Sequence, residues 1–283
     1  MNYPQRLENV IQFIGKHLDE DISLEQLSEV FGVSKFHFHR LFTALTGLSL
    51  HQYIRWLRLK RAAYQLILDQ EQSILHIAIN AGFQSHEAFT RVFKKTCGLS
   101  PNQFRQQADW SYWDRPPYCL PKRGKVDMKV DVKEVSEIRL AMIEHRGDPK
   151  LLGSSVNKLI AWAKAQTMNL KPKPGEAFAF AYDDPKTTAP EQFRMDLGIK
   201  IPARSINLTD GMVEKYLPAG RYAVTLHKGS RDTIGDTTYP LYREWLPKSG
   251  ESLGDLPCVF CYYNFDNEVA ETEALTEIWL LLK

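Results

Sequence analysis

At 283 residues, 43% of them apolar and 25% charged, the sequence has room for two domains of ordinary size and the composition of a soluble globular protein. No run of eighteen apolar residues could span a bilayer, and the opening MNYPQRLENV lacks the apolar stretch of a secretory signal. Four cysteines (Cys97, Cys119, Cys258, Cys261) are too few and too scattered for a disulfide framework, which fits a reducing cytoplasm. The net charge of +2 is uneven. Residues 1–110 carry 12 Lys and Arg against 10 Asp and Glu, residues 111–126 carry 4 against 1, and residues 127–283 carry 20 against 23. The basic first half and its tail point to an anionic partner there.

Up to residue 108 the apolar residues recur at helical spacing, as in Leu7, Val10, Ile11, Ile14 and Leu18. Ser23 with Gln26, Ser49 with Gln52 and Ser100 with Gln103 fit the capping box, and Pro101 stands at a first helical position. Ser34, Ser73 and Ser85 are further N-cap candidates. The segment is also a repeat. Ser23, Leu24, Leu27 and Gly32 match Ser73, Ile74, Ile77 and Gly82. Ser34, Phe38, Arg40, Phe42, Gly47, Ser49 and Tyr53 then match Ser85, Phe89, Arg91, Phe93, Gly98, Ser100 and Phe104. Each copy reads helix, glycine turn, serine-capped helix, which is the helix-turn-helix pattern. The connecting stretch 49–68 would span about 30 Å as a helix, close to the roughly 34 Å of one DNA turn. It could hold two reading helices at successive major-groove segments. Phe38, Leu41, Phe42, Phe89, Val92 and Phe93 stripe the face expected to be core.

Residues 109–126 read as a proline-rich linker whose tryptophans suggest packing. From Met128 the period changes to two, giving strands at MKVDVKEV, RLAMIEH, FAFAYD, RYAVTLH and VFCYYNF, with helices at 149–166 and 235–248. A second repeat appears here. RLAMIEHRG (139–147) lies over RYAVTLHKG (221–229), Trp162 falls near Trp245, FAYDD (180–184) lies over CYYNF (261–265), and Asp196 lies over Glu277. Two strand–helix–strand–strand copies would form one curved antiparallel sheet backed by helices, with a cleft along the pseudo-twofold.

Residues 74–105, ILHIAINAGFQSHEAFTRVFKKTCGLSPNQFR, follow the signature of the AraC/XylS transcription regulators nearly throughout, so the N-terminal half resembles that family. The resemblance implies that the second helix of each unit enters the major groove. By position the first presents Lys35, Phe36, His39 and Arg40, and the second His86, Glu87, Thr90 and Arg91. Arginine can pair with guanine and glutamate can accept from cytosine. Ser34, Lys35, Lys94, Lys95 and the helix N-termini suit phosphates, which set register, and Ser85 is a further DNA-binding candidate. Arg40 and Arg91 could equally form intramolecular salt bridges, and Glu87 could serve its helix N-terminus. His37 and His39, two apart on a helix, face differently and do not make a metal pair.

The segments YDDPKTTAPEQFRMDLGI (182–199), AGRYAVTLHKG (219–229), YREWLPKSG (242–250) and PCVFCYYN (257–264) resemble the GyrI-like effector-binding domain. With the DWSYWDRPP junction, the whole looks like the Rob-type branch of the AraC/XylS regulators. The fold class implied is multidomain: an all-α double helix-turn-helix domain (1–108), a linker (109–126) and an α+β GyrI-like domain (127–283). Trp162, Tyr182, Trp245, Phe260, Tyr262 and Glu277 are candidates for a ligand cleft. Phe260 departs from the family, which commonly has a glutamate there as counter-ion for lipophilic cations; aromatic faces still attract cations. Cys258 and Cys261 lie three apart on a strand and so face opposite ways.

The reading expected is a cytoplasmic, sequence-specific regulator of double-stranded DNA that binds an asymmetric site as a monomer. It would be modulated by a small apolar or aromatic ligand and act on RNA polymerase, with no cofactor, metal or membrane. A small-molecule hydrolase is the enzymatic alternative, weakened because Phe260 leaves no base at that point. A protein-interaction module is the third class.

Overall fold

Serine caps and turn glycines set the helices of the first half. The computed structural model describes residues 3–113, 128–166, 172–203, 206–264 and 269–283. Most of the expected linker, with Cys119, lies outside these. Seven helices come first: α1 (Tyr3–Lys16), α2 (Leu24–Phe31), α3 (Lys35–Thr46), α4 (Leu50–Leu68), α5 (Ile74–Asn80), α6 (His86–Cys97) and α7 (Pro101–Gln106). All three expected capping boxes form, at Ser23, Ser49 and Ser100, and each contributes roughly 1 kcal/mol. Ser73 and Ser85 cap α5 and α6 through their hydroxyls. Ser34 does not: its Oγ is buried without a hydrogen-bond partner.

The chain divides into two compact units. One takes residues 4–32 and 45–113. The other gathers Tyr3, residues 33–44 and the described residues from 128 onward. Residues 35–44 of α3 therefore belong with the unit that holds the C-terminal sheet.

In the helical unit, the two turn glycines are used alike. Gly32 and Gly82 adopt φ of 77° and 82°, where an L side chain is strained. An arginine closes over each, so that a Cβ would lie 2.9 Å from Arg6 Nη1 or Arg58 Nη1. Arg6 also donates to the carbonyls of Phe31 and Gly32 (3.0 and 3.1 Å), satisfying the end of α2. The core of α4–α7 is built on Trp56, Leu59, Leu66, Ile77, Phe89, Phe93 and Phe104. Trp113 joins it, 6.0 Å from Trp56 and 5.9 Å from Phe93, and Lys60 Nζ donates to its carbonyl. The start of the expected linker is thus tied to this core.

The second unit is built on one eight-stranded antiparallel sheet. Its strands are β1 (Asp131–Val135), β2 (Ile138–Arg146), β3 (Ala177–Ala181), β4 (Arg194–Lys200), β5 (Met212–Leu217), β6 (Gly220–Lys228), β7 (Cys258–Tyr262) and β8 (Leu275–Leu281). Their order, β1-β6-β8-β7-β3-β4-β2-β5, reads the same when the two copies are exchanged. The strand–helix–strand–strand units are β2-α8-β3-β4 and β6-(α9, α10)-β7-β8, where α8 is Leu152–Ala165. Sequence reasoning missed β5 and the exchange of edges. β1 pairs with β6 of the other copy, and β5 with β2. The expected helix 235–248 is α9 (Gly235–Pro240) and α10 (Leu246–Ser249), joined by a π-helical turn (Leu241–Trp245). Pro240 has no N–H to continue an α-helical ladder.

Candidate nucleic-acid interface

Helix α6 has the division a groove-reading helix needs. Phe89 and Phe93 are fully buried and Val92 packs beside them, while Glu87, Arg91, Lys94 and Lys95 are exposed. His86 and Thr90 are half-buried. These six polar residues line one concave stretch of surface. Ser85 caps the helix, its Oγ accepting from the Ala88 backbone amide (3.1 Å). The Glu87 carboxyl lies below the usual carboxylate range because its own backbone amide and the Ser85 hydroxyl donate to it. That bonding gives Glu87 a part in the helix N-terminus alongside any base contact.

Helix α3, matched to α6 in sequence, is placed differently. Phe38, Leu41 and Phe42 are buried as expected. Of the expected readers, Lys35 is exposed and Phe36 and His39 are half-buried, but Arg40 is only 5% exposed. Arg40 Nη2 donates to the main-chain carbonyls of Ala181 (3.2 Å) and Asp183 (3.0 Å). Phe36 meets the Tyr182 ring edge-on with centroids 5.6 Å apart. His39 Nε2 lies 3.4 Å from Thr187 Oγ1. His37 is fully buried, with Nδ1 2.9 Å from the Tyr242 hydroxyl, and burial followed by the Arg40 charge pushes its imidazole down to about 3. The expectation that Arg40 is presented for base reading is therefore corrected for this conformation. Its Nη2 donors are already committed to carbonyls of the same unit, and the side chain is buried there. Sequence reasoning had left an intramolecular role open for Arg40, but nothing in the local pattern marked the Ala181 and Asp183 carbonyls as its partners, or Tyr242 as the partner of His37.

The six residues expected at a ligand cleft do not share one surface. Cross-strand partners point the same way, so Phe260, paired with Ala179 and Ile278, faces one side of the sheet. Glu277, paired with Cys261, faces the other. Phe260 is buried; Tyr262 is half-buried under Arg231, 4.7 Å from its ring. Trp162 is buried in α8 and donates from Nε1 to the Asn207 carbonyl, and Trp245 is half-buried. The repeat instead produces two matched acids, each already engaged. Asp196 accepts from Arg146, Lys215 and Tyr182, all at 2.7 Å. Glu277 accepts from Lys133 (3.0 Å) and Trp279 Nε1 (2.8 Å). Lys133 and Lys215, at corresponding places on the exchanged edge strands, could have been found from the repeat offset.

Burial, foremost, and the bonded Asp196 push the Tyr182 phenol up to about 12. Cys258 and Cys261 face opposite sides, and burial pushes their thiols up to about 11 and about 12. Neither is activated as a nucleophile. Among the described residues no helix is long and apolar enough to cross a membrane.

Residues 128–283 match the GyrI-like small molecule binding domain, and residues 27–107 match a helix-turn-helix domain. The chain belongs to the GyrI-like family. It joins that domain to an AraC-type helix-turn-helix half, the architecture of a transcription regulator. This GyrI-like chain is 36% identical over 156 residues to the probable transcriptional regulator YgiV of Escherichia coli, covering 55% of this chain and 96% of that one. It is 42% identical over 105 residues to the uncharacterized HTH-type transcriptional regulator YbfP of Bacillus subtilis, covering 37% of this chain and 35% of that one. To the transcriptional regulator Rob of Salmonella typhimurium it is 36% identical over 115 residues, covering 40% and 39%. The matched segment thus spans well under half of the last two relatives.

Proposed function

We propose that this chain is a sequence-specific DNA-binding transcription regulator whose GyrI-like domain receives a small apolar or aromatic ligand. The observation that carries the reading is α6: an exposed face of Glu87, Arg91, Lys94 and Lys95 over a buried Phe89–Phe93 stripe, opened by a serine cap. Arg91 and Glu87 supply the donor fork and acceptor that distinguish bases, and the two lysines supply phosphate contacts. Ser34, Lys35, Phe36, His39 and Arg40 form the second contact set when α3 is free.

A single chain with two unlike readers binds an asymmetric site as a monomer, in the compartment that holds DNA, and acts there on RNA polymerase. The ligand reading rests on the domain family and on the chemistry of the acids. With Phe260 where the family resemblance implies a glutamate, and with the matched acids Asp196 and Glu277 both already paired, neither of these two carboxylates is free to meet a cation or to serve as a general base. That favours an uncharged ligand and a non-enzymatic role.

The test is recovery of duplexes from a random pool by the intact chain at moderate salt. An enriched asymmetric motif is expected. Enrichment of equal inverted half-sites would defeat the monomeric reading, and no enrichment at all would defeat sequence-specific binding.

A further inference from the structure

We propose that the C-terminal domain masks the first reader: the loop after β3 and the π-helical turn at Tyr242 form a docking surface for the face of α3 that would otherwise read DNA. The inference rests on the regulator reading and adds to it an internal competitor for the groove.

Three observations carry it. The positions engaged are the reading positions. Phe36 sits on Tyr182, His39 reaches Thr187, and Arg40 donates to two main-chain carbonyls, whereas Glu87 and Arg91 at the matching places on α6 are exposed. With Nη2 donating to Ala181 and Asp183 and the residue only 5% exposed, the Arg40 guanidinium cannot reach a base edge, so docking and reading exclude each other.

The docking surface is also held by contacts that do not involve α3. Asp183 is held in a two-pronged pair by Arg194 (2.8 and 2.9 Å), and Asp184 accepts from the Tyr239 hydroxyl and from the Lys186 amide. The loop therefore presents its carbonyls in fixed directions.

Finally, the docked helix is incompletely satisfied. Ser34 Oγ, Arg40 Nε and Thr43 Oγ1 are buried without hydrogen-bond partners. A permanent core pairs such groups; leaving them unpaired lowers the cost of release. The apparent DNA affinity is then the affinity of the released form scaled by the fraction released.

The experiment uses the full chain, its Tyr242→Phe variant, which removes the hydroxyl partner of His37, and its Tyr182→Leu variant, which removes the ring under Phe36. Neither residue belongs to the proposed DNA contacts. The probe is a duplex recovered from a random pool by whichever of the three proteins enriches one. Affinity is measured together with amide exchange of α3. The expected result is binding about tenfold tighter in both variants, with faster exchange in α3 and unchanged exchange in α6. Equal affinity in all three proteins overturns the masking, whatever the exchange does, and leaves the regulator reading intact. Enrichment by the variants and not by the parent chain supports masking in its strongest form. If none of the three enriches any duplex, the regulator reading itself fails and the masking falls with it.

Discussion

Helices α3 and α6 were built from one template and have opposite surroundings. Both are twelve residues long, both follow a serine, and both bury two phenylalanines four residues apart. Yet Arg91 lies in solvent while Arg40 is spent on two carbonyls. The pair shows that a repeat carries its local fold and its inner face from copy to copy. What the outer face meets is not carried, because that depends on the rest of the chain.

The largest expected effect separates the two arginines by stability alone. Arg40→Ala removes two hydrogen bonds from a charged donor and leaves buried carbonyls unpaired, costing about 3 kcal/mol; Arg91→Ala stays within about 0.5 kcal/mol. Urea unfolding of both variants checks this. Equal losses would mean that the environments of α3 and α6 are alike in solution. On DNA the ranking reverses. Arg91→Ala should cost roughly 1–3 kcal/mol at one base position and relax the preference there. A uniform loss across all sequences would reassign Arg91 to phosphate or to structure.

Acidification sharpens the contrast from the side of α3. Docked His37 stays neutral down to about pH 3, whereas released His37 takes up a proton near its ordinary value of roughly 6.5. The released form thus binds more protons as pH falls, and docking, fully present above pH 6.5, weakens below it. Between pH 7.5 and 5.5 the loss from His37 is about 1.4 kcal/mol. Half-buried His39, also shifted down mainly by burial, adds in the same direction. Amide exchange of residues 35–44, corrected for the intrinsic pH dependence, should accelerate accordingly. Replacing His37 with glutamine should flatten most of that response, and an undiminished response would remove His37 from the account. The smallest effect is expected from Lys94→Ala: a sequence-independent loss, with the slope of log affinity against log salt smaller by about 0.9. An unchanged slope would mean that Lys94 touches no phosphate.

Much of the fold was legible because it is local. Ser23, Ser49 and Ser100 cap helices through contacts three residues away, and Gly32 and Gly82 take a backbone conformation that other residues resist. The strand period of two fixed which residues alternate across the sheet. Less of the candidate site was legible. Glu277 was grouped with the aromatics around Phe260 as a substitute acid found through the repeat, and the register places Phe260 and Glu277 on opposite faces. The edge strand β5 was missed because MVEKYL is short and half-exposed, with a pattern that only its partner β2 makes regular.

The amino-acid sequence by itself determined two tandem repeats, the helix starts and turns of the first, the matched acids of the second, and the families each resembles. All of these follow from spacings within a few dozen residues or from likeness between two copies. Only the tertiary structure decided that the copies in the sheet exchange edge strands, and that Arg40 is covered while Arg91 is free. Those outcomes depend on residues such as Asp183 and Tyr242, more than a hundred positions from α3. Burial and pairing at that distance are set by how the whole chain packs, which no local spacing records.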